Sequence, residues 1–144
     1  MNSALADEWL AVCQYWVGSK IISGPMAGAV EVDLAEHAAK EKEYADMLAD
    51  RIVTLGETPL MHPKIWLEDT RCGYEEPADE HVKDLFEQNI QGERVAIQVY
   101  QGLVEFTKDK DPVTYYLVLE ILEDEIDHEE ELQALQEKMK VMLK

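Results

Sequence analysis

In the stretch Val118-Leu119-Glu120-Ile121-Leu122-Glu123-Asp124-Glu125-Ile126-Asp127-His128-Glu129-Glu130-Glu131-Leu132, the residues Val118, Ile121, Glu125, His128 and Leu132 recur at steps of three and four. That is the period of one face of an α-helix. The face is apolar at both ends and carries a carboxyl and an imidazole in its middle, and it continues through Leu135, Met139 and Met142. Upstream, Asp111-Pro112 places a capping carboxylate before a proline at the first helical position. The pattern predicts a helix over 112–143.

Three more segments share this period. Leu5, Glu8, Val12, Tyr15, Ser19 and Ile22 line one face of a segment over about 2–23, ended by Ser23-Gly24-Pro25. Val30, Leu34, His37, Glu41, Tyr44, Leu48, Ile52 and Leu55 line one over 29–55, closed by Gly56 as a C′ glycine. Phe86, Ile90, Glu93, Ile97, Tyr100 and Val104 line one over 79–108, with Asp79 as its cap. Gly92 and Gly102 inside that segment each cost it up to ~1 kcal/mol. No strand-like alternation of useful length occurs, so the chain reads as all-α, one domain over 1–144.

Connection lengths give the topology. Short links make two antiparallel hairpins of the first two and the last two segments. The 57–78 link holds Pro59, Pro63, Gly73 and Pro77. It is long enough to run the length of a helix and so to make the second and third segments parallel. Pro63-Lys64-Ile65-Trp66-Leu67-Glu68-Asp69 within it reads as a short helix lying across the bundle. One long crossover in a four-helix bundle is the ferritin-like topology.

Each stripe is interrupted by one glutamate: Glu8, Glu41, Glu93 and Glu125. A lone Glu on an apolar stripe is ordinarily an edge residue that reaches water. Here, however, all four fall near one level, each about 20 Å along its helix from a shared end of the bundle. Four buried anions need compensation. Divalent cations supply it, and oxygen-rich ligation with one imidazole favours iron or manganese over a thiolate-type zinc site.

Composition narrows the classes further. Thirteen basic against thirty-one acidic residues give a net charge of −18, the wrong sign for non-specific nucleic-acid binding and the right one for attracting cations. No apolar run approaches the ~20 residues of a bilayer span. Met1-Asn2-Ser3-Ala4-Leu5-Ala6-Asp7-Glu8 lacks the basic start of a signal peptide. Cys13 and Cys72 fit no zinc or CxxC spacing. A cytoplasmic protein with reduced thiols is expected.

Several segments resemble ferritin-like di-iron proteins, especially their bacterioferritin and Dps-like branch. They are Glu8-Trp9-Leu10-Ala11-Val12-Cys13-Gln14-Tyr15, Ala45-Asp46-Met47-Leu48-Ala49-Asp50-Arg51-Ile52 with Leu55-Gly56 and Thr58-Pro59, Glu93-Arg94-Val95-Ala96-Ile97 with Tyr100, and Leu119 to His128. Glu125-x-x-His128 in register with Glu8, Glu41 and Glu93 matches the di-iron carboxylate pattern of two lone glutamates and two Glu-x-x-His pairs. The resemblance implies a ferroxidase. Such a protein oxidises Fe(II) with hydrogen peroxide or dioxygen, protects against oxidative stress and stores ferric iron in a hollow homo-oligomeric shell. It also implies that Glu41 and Glu125 span both metals, that Glu8 serves one and that Glu93 and His128 serve the other. The fourth long helix runs to the end of the chain and the short helix lies in the crossover, which favours the twelve-subunit shell of Dps-like proteins. A rubrerythrin-like peroxidase without storage and a non-catalytic bundle with a degenerate site are the alternatives.

Two positions depart from the pattern. Tyr44 stands where the second Glu-x-x-His would place its histidine, so a phenol or a water serves that metal. His37 lies seven residues, about 10 Å, from that position. It reads as a polar residue at the bundle edge or as an accessory iron ligand on the path to the cavity. Lys42 occupies the place of the haem-ligating methionine of bacterioferritins, so no haem is expected. Tyr15 and Tyr100 read as core residues or as hydrogen-bond donors to ligand carboxylates. The acidic runs at 75–80 and 123–131 read as solvated faces or as ferrous-attracting pore and cavity linings.

Overall fold

A computed structural model describes residues 1–144. The helices are α1 (Asn2–Ile21), α2 (Ala27–Thr54), α3 (Pro63–Asp69), α4 (Val82–Thr107) and α5 (Pro112–Met142). The all-α bundle expected from the helical period is borne out, and there are no strands. None of the helices is long and apolar enough to cross a membrane.

The helix ends follow local chemistry. Asp111 caps α5 by accepting from the backbone N–H of Val113 and Thr114, with Pro112 at the first helical position. Gly56, at φ 84°, takes the left-handed conformation after α2, and Glu57 N–H then reaches back to the Ile52 carbonyl. Three boundaries differ from expectation. α1 stops at Ile21, because Ser23 leaves the helix to exchange backbone hydrogen bonds with the chain entering α4: Ser23 N donates to Glu80 O (2.8 Å) and Val82 N to Ser23 O (3.0 Å). The same pairing holds His81 extended, so α4 begins at Val82 rather than at 79. Its cap is then the His81 ring, which accepts from Lys83 N–H, while Asp79 accepts from His81 N–H one turn earlier. α2 begins at Ala27, behind Met26 in the left-handed region at φ 62°.

Cross-helix contacts fix the directions. Gln14 meets Asn89, Tyr15 meets Glu93 and Tyr100 meets Glu8. Rising numbers on α1 pair with falling numbers on α4, so the two are antiparallel. On α2 and α5, His37 faces Glu131, Tyr44 faces Asp124 and Arg51 faces Asp111, again antiparallel. The Ser23–His81 bridge puts the end of α1 beside the start of α4. α2, antiparallel to α1 as its hairpin partner, therefore runs parallel to α4, as a crossover spanning the bundle requires.

Two features pin that crossover. Trp66 of α3 stacks on Trp9 of α1, with ring centroids 5.1 Å apart. The buried Asp7 Oδ1 accepts from Thr70 Oγ1 and from the N–H groups of Arg71 (2.9 Å) and Cys72 (3.0 Å). A Cβ at Gly92 would come within 3.3 Å of Gln14 Nε2, which would have to shift by a few tenths of an ångström. Gly102 faces open space, and nothing in the structure explains it. Leu55 and Met142, placed on the apolar stripes by period, are exposed, because both sit at helix ends beyond the facing helices.

The core is split in two. One apolar zone holds Leu5, Tyr44, Leu48, Ile97, Tyr100, Val118 and Ile121. The other holds Tyr15, Val30, Leu34, Phe86, Ile90, Leu132 and Met139. On every long helix the glutamate of the stripe lies between the two zones.

Candidate metal centre

Between those zones Glu8, Glu41, Glu93 and Glu125 are each no more than 3% exposed, and His128 is 8% exposed. His128 Nδ1 lies 3.2 Å from Glu125 Oε2, 3.4 Å from Glu41 Oε1 and 4.0 Å from Glu93 Oε1. One ligand atom from each of Glu41, Glu93, Glu125 and His128 falls within 4.8 Å of all the others. Glu8 sits just outside that group and is hydrogen-bonded to Glu41.

Burial raises the affinity of all four carboxyls for protons, and neighbouring charges add to it. Glu8 is pushed up to about 7, chiefly by burial, against hydrogen bonds that lower it. Glu41, Glu93 and Glu125 are held well above the usual carboxylate range. Glu8 is coupled to Glu41 and Glu93 to Glu125. Carboxyls raised in this way relieve the mutual repulsion of the cluster by binding protons or a cation.

Two phenols steady it from the flanking apolar zones. Tyr15 Oη donates to Glu93 Oε1 and Tyr100 Oη to Glu8 Oε1. Each tyrosine serves the glutamate of the opposite helix, a pairing set by the antiparallel register of α1 and α4. Burial pushes both phenols well above their usual range, so they remain donors.

The donor set fits a divalent cation. Glu41 Oε1 is buried with no hydrogen-bond partner, an arrangement that costs free energy unless something binds there. A cavity of about 60 Å³ reaches the cluster from the side of α1 and α4, with Glu8, Glu41, Glu93 and Glu125 on its wall. It has room for more than one water-sized molecule. Carboxylates with one imidazole suit iron or manganese.

The structure gathers Glu8, Glu41, Glu93, Glu125 and His128 in one place. The Tyr44 hydroxyl is engaged by a carboxylate outside that set. The phenol stacks beside His128, with centroids 6.1 Å apart, and donates to Asp124 Oδ2 at 2.8 Å. Burial first, and then that bond, raise its pKa. Asp124 escaped the sequence reading because its acidic neighbours made it look like part of a solvated face. His37 is not an edge residue. It is 4% exposed, lies edge-on to His128 at 4.5 Å, and offers a ligand atom within 4.8 Å of those of Glu93 and His128. The distance along α2 separates it from Tyr44, but the side chains of α4 and α5 reach up to it. Cys72 also lines the cavity, brought there by the Asp7 anchor, and no local pattern signals it. Lys42 points away, pairing with Asp46 and lying over the Trp9 ring.

Residues 1–142 match the ferritin-like domain. A dodecameric thioferritin, the bacterioferritin-related protein of Bacteroides fragilis, superposes with a TM-score of 0.95 at 40% identity, covering 98% of this chain and 84% of that one. The DNA protection during starvation protein of Pyrococcus furiosus is 30% identical over 130 residues, 88% of this chain and 69% of its own length. Dps from Staphylococcus aureus shares the fold at a TM-score of 0.88 and 17% identity, covering 94% of this chain and 91% of that one. With the bundle, its crossover and the buried carboxylate cluster in place, the chain belongs to the ferritin-like family and is a Dps homologue within the ferritin-like di-iron superfamily.

Proposed function

We propose that this protein is a ferroxidase that takes up two Fe(II) ions per chain at the buried cluster, oxidises them with hydrogen peroxide or dioxygen, and stores the ferric product inside a shell of twelve chains. One observation carries the reading: four carboxyls and an imidazole from four helices, at most 8% exposed, stand together with Glu41 Oε1 unpartnered. In this reading Glu41 and Glu125 serve both ions, Glu8 serves one, and Glu93 and His128 serve the other. Water takes the place of the missing histidine, since the Tyr44 hydroxyl is committed to Asp124.

Iron is the substrate. Each Fe(II) gives one electron to peroxide, whose O–O bond breaks, and with two protons the products are two waters and two Fe(III). Protons that the raised carboxyls release on metal uptake are placed to be used there. Tyr15 and Tyr100 hold the carboxylates in position, and the apolar zones above and below limit access by bulk water.

The dodecameric state of the Bacteroides fragilis protein supports a twelve-chain assembly. The name of the Pyrococcus furiosus relative speaks of DNA protection. At −18 per chain this protein protects by removing Fe(II) and oxidant rather than by coating DNA. The test is an anaerobic Fe(II) titration followed by peroxide. Two ions bound per chain and rapid ferric absorbance support the reading, and no stoichiometric binding would refute it. Loading of many irons per shell supports storage, whereas turnover without accumulation identifies a peroxidase.

A further inference from the structure

We propose that Gln14 decides by size which oxidants reach the metal centre, because its amide narrows a throat between α1, the crossover and α4 that admits hydrogen peroxide and dioxygen and turns away bulkier hydroperoxides. The cavity that reaches the cluster and an outer groove of about 620 Å³ share four lining residues, Gln14, Cys72, Gly73 and Gly92. The two spaces meet at a rim made by these residues.

Both sides of the rim are held. On the crossover side the Asp7 carboxylate accepts from the N–H groups of Arg71 and Cys72, and Gly73 N donates to Thr70 Oγ1 at 2.9 Å. Gly73, at φ 75°, has open space where a Cβ would stand. On the helix side Gln14 Nε2 donates to Asn89 Oδ1 at 3.0 Å. Asn89 is 1% exposed, and its own amide donates to Leu85 O at 2.8 Å, which fixes the acceptor. The Gln14 side chain thus reaches from α1 to α4 and lies against Gly92, where an added Cβ would be 3.3 Å from Nε2. A molecule moving from the groove to the cavity passes between this amide and the Cys72–Gly73 segment.

The groove adds selection by charge. Glu75, Glu76, Asp79, Asp84 and Glu87 line it with no basic side chain among them, so it repels anionic oxidants and leaves neutral ones free to enter. Hydrogen peroxide and dioxygen are neutral, have two heavy atoms, and suit a cavity with room for more than one water-sized molecule. tert-Butyl hydroperoxide is neutral too, but its branched alkyl group must push the Gln14 amide off Asn89 to pass. The part played by the oxidant rests on the iron oxidation proposed above, while the throat rests on these contacts alone.

Stopped-flow mixing of the anaerobically Fe(II)-loaded protein with each peroxide tests the selection. tert-Butyl hydroperoxide takes one electron from each of two Fe(II) and two protons; its O–O bond breaks, and tert-butanol and water leave, so ferric absorbance reads both oxidants. Gln14→Ala is expected to raise the rate with tert-butyl hydroperoxide, relative to that with hydrogen peroxide, by about tenfold, the scale on which a small change of room in a site discriminates. Asn89→Leu, which keeps the volume and removes the acceptor, should move the ratio in the same direction. A ratio that Gln14→Ala leaves unchanged overturns the proposal. A second readout needs no iron oxidation. In the Co(II)-loaded protein, hydroxylamine, close to hydrogen peroxide in size, should shift the visible spectrum of wild type, and N-tert-butylhydroxylamine should shift only that of Gln14→Ala. Equal shifts by both in wild type overturn the throat. Discrimination on Co(II) in a protein that does not oxidise iron leaves the throat standing and overturns the proposed function, and a cluster that binds no Co(II) overturns both.

Discussion

Tyr44 occupies the place where a second histidine would complete the metal centre, yet its hydroxyl is spent on Asp124. The oxidised protein is therefore expected to show no phenolate-to-iron absorption band. A visible band abolished by Tyr44→Phe would show that the ring turns inward when iron binds. Tyr44→His places an imidazole three residues after Glu41, on the same face, and is expected to tighten binding of the second Fe(II) in an anaerobic titration. The four glutamates define a pH dependence with a definite sign. Their folded-state pKa values are raised, Glu8 to about 7 and the others well above the usual carboxylate range, so the folded protein holds protons that the unfolded chain releases from about pH 4.5 upward. Metal-free stability accordingly falls as pH rises through that window to pH 7 and beyond. Denaturant midpoints in chelator at pH 5, 6, 7 and 8 are expected to decline, less steeply for Glu125→Gln, and the decline should be reversed by Mn(II). A variant profile parallel to wild type would contradict the assignment of the slope to this cluster.

At the scale of elements, the Asp7 carboxylate is one of the two pins of the crossover, beside the Trp9–Trp66 stack. Asp7→Ala leaves the N–H groups of Arg71 and Cys72 and the Thr70 hydroxyl without their acceptor. A loss of about 2 kcal/mol is expected, read as roughly 30-fold faster amide exchange at residues 71 and 72 with α2 unchanged. Uniform acceleration across the bundle would mean that Asp7 supports the whole fold rather than the crossover. The contrast between what was legible in the sequence and what was not lies at this scale too. Glu8, Glu41, Glu93, Glu125 and His128 follow from the period of single helices, together with the common level at which the four glutamates fall along the bundle. The Gly56 turn and the Asp111-Pro112 start are equally local. The position of His37, the partner of Tyr44 and the crosswise Tyr15–Glu93 and Tyr100–Glu8 pairs depend on how one helix slides against another, and no single-helix pattern contains that register. The late start of α4 has the same origin: Asp79 is a sound cap, but pairing of residues 80–82 with Ser23 overrides it.

For the whole molecule, Trp16, Val32, Phe106 and Tyr116 are exposed on this single chain. The proposed shell would offer partners to such residues, and light scattering is expected to give the mass of twelve chains. A stable dimer or a twenty-four-chain particle would reject that stoichiometry. At −18 per chain the shell is expected to leave duplex DNA unshifted in a gel at physiological salt, and a retarded band would contradict it. The central claim is that the buried cluster itself carries out iron oxidation, and the most direct test is stopped-flow ferric absorbance after the anaerobically Fe(II)-loaded shell is mixed with peroxide. Wild type should react rapidly, with an amplitude of two irons per chain. Glu125→Ala should lose at least ~10-fold in rate, since even an outer partner of a metal typically contributes that much, while the shell stays intact by light scattering. An intact Glu125→Ala shell that oxidises iron at the wild-type rate would place the chemistry elsewhere in the molecule and contradict the account.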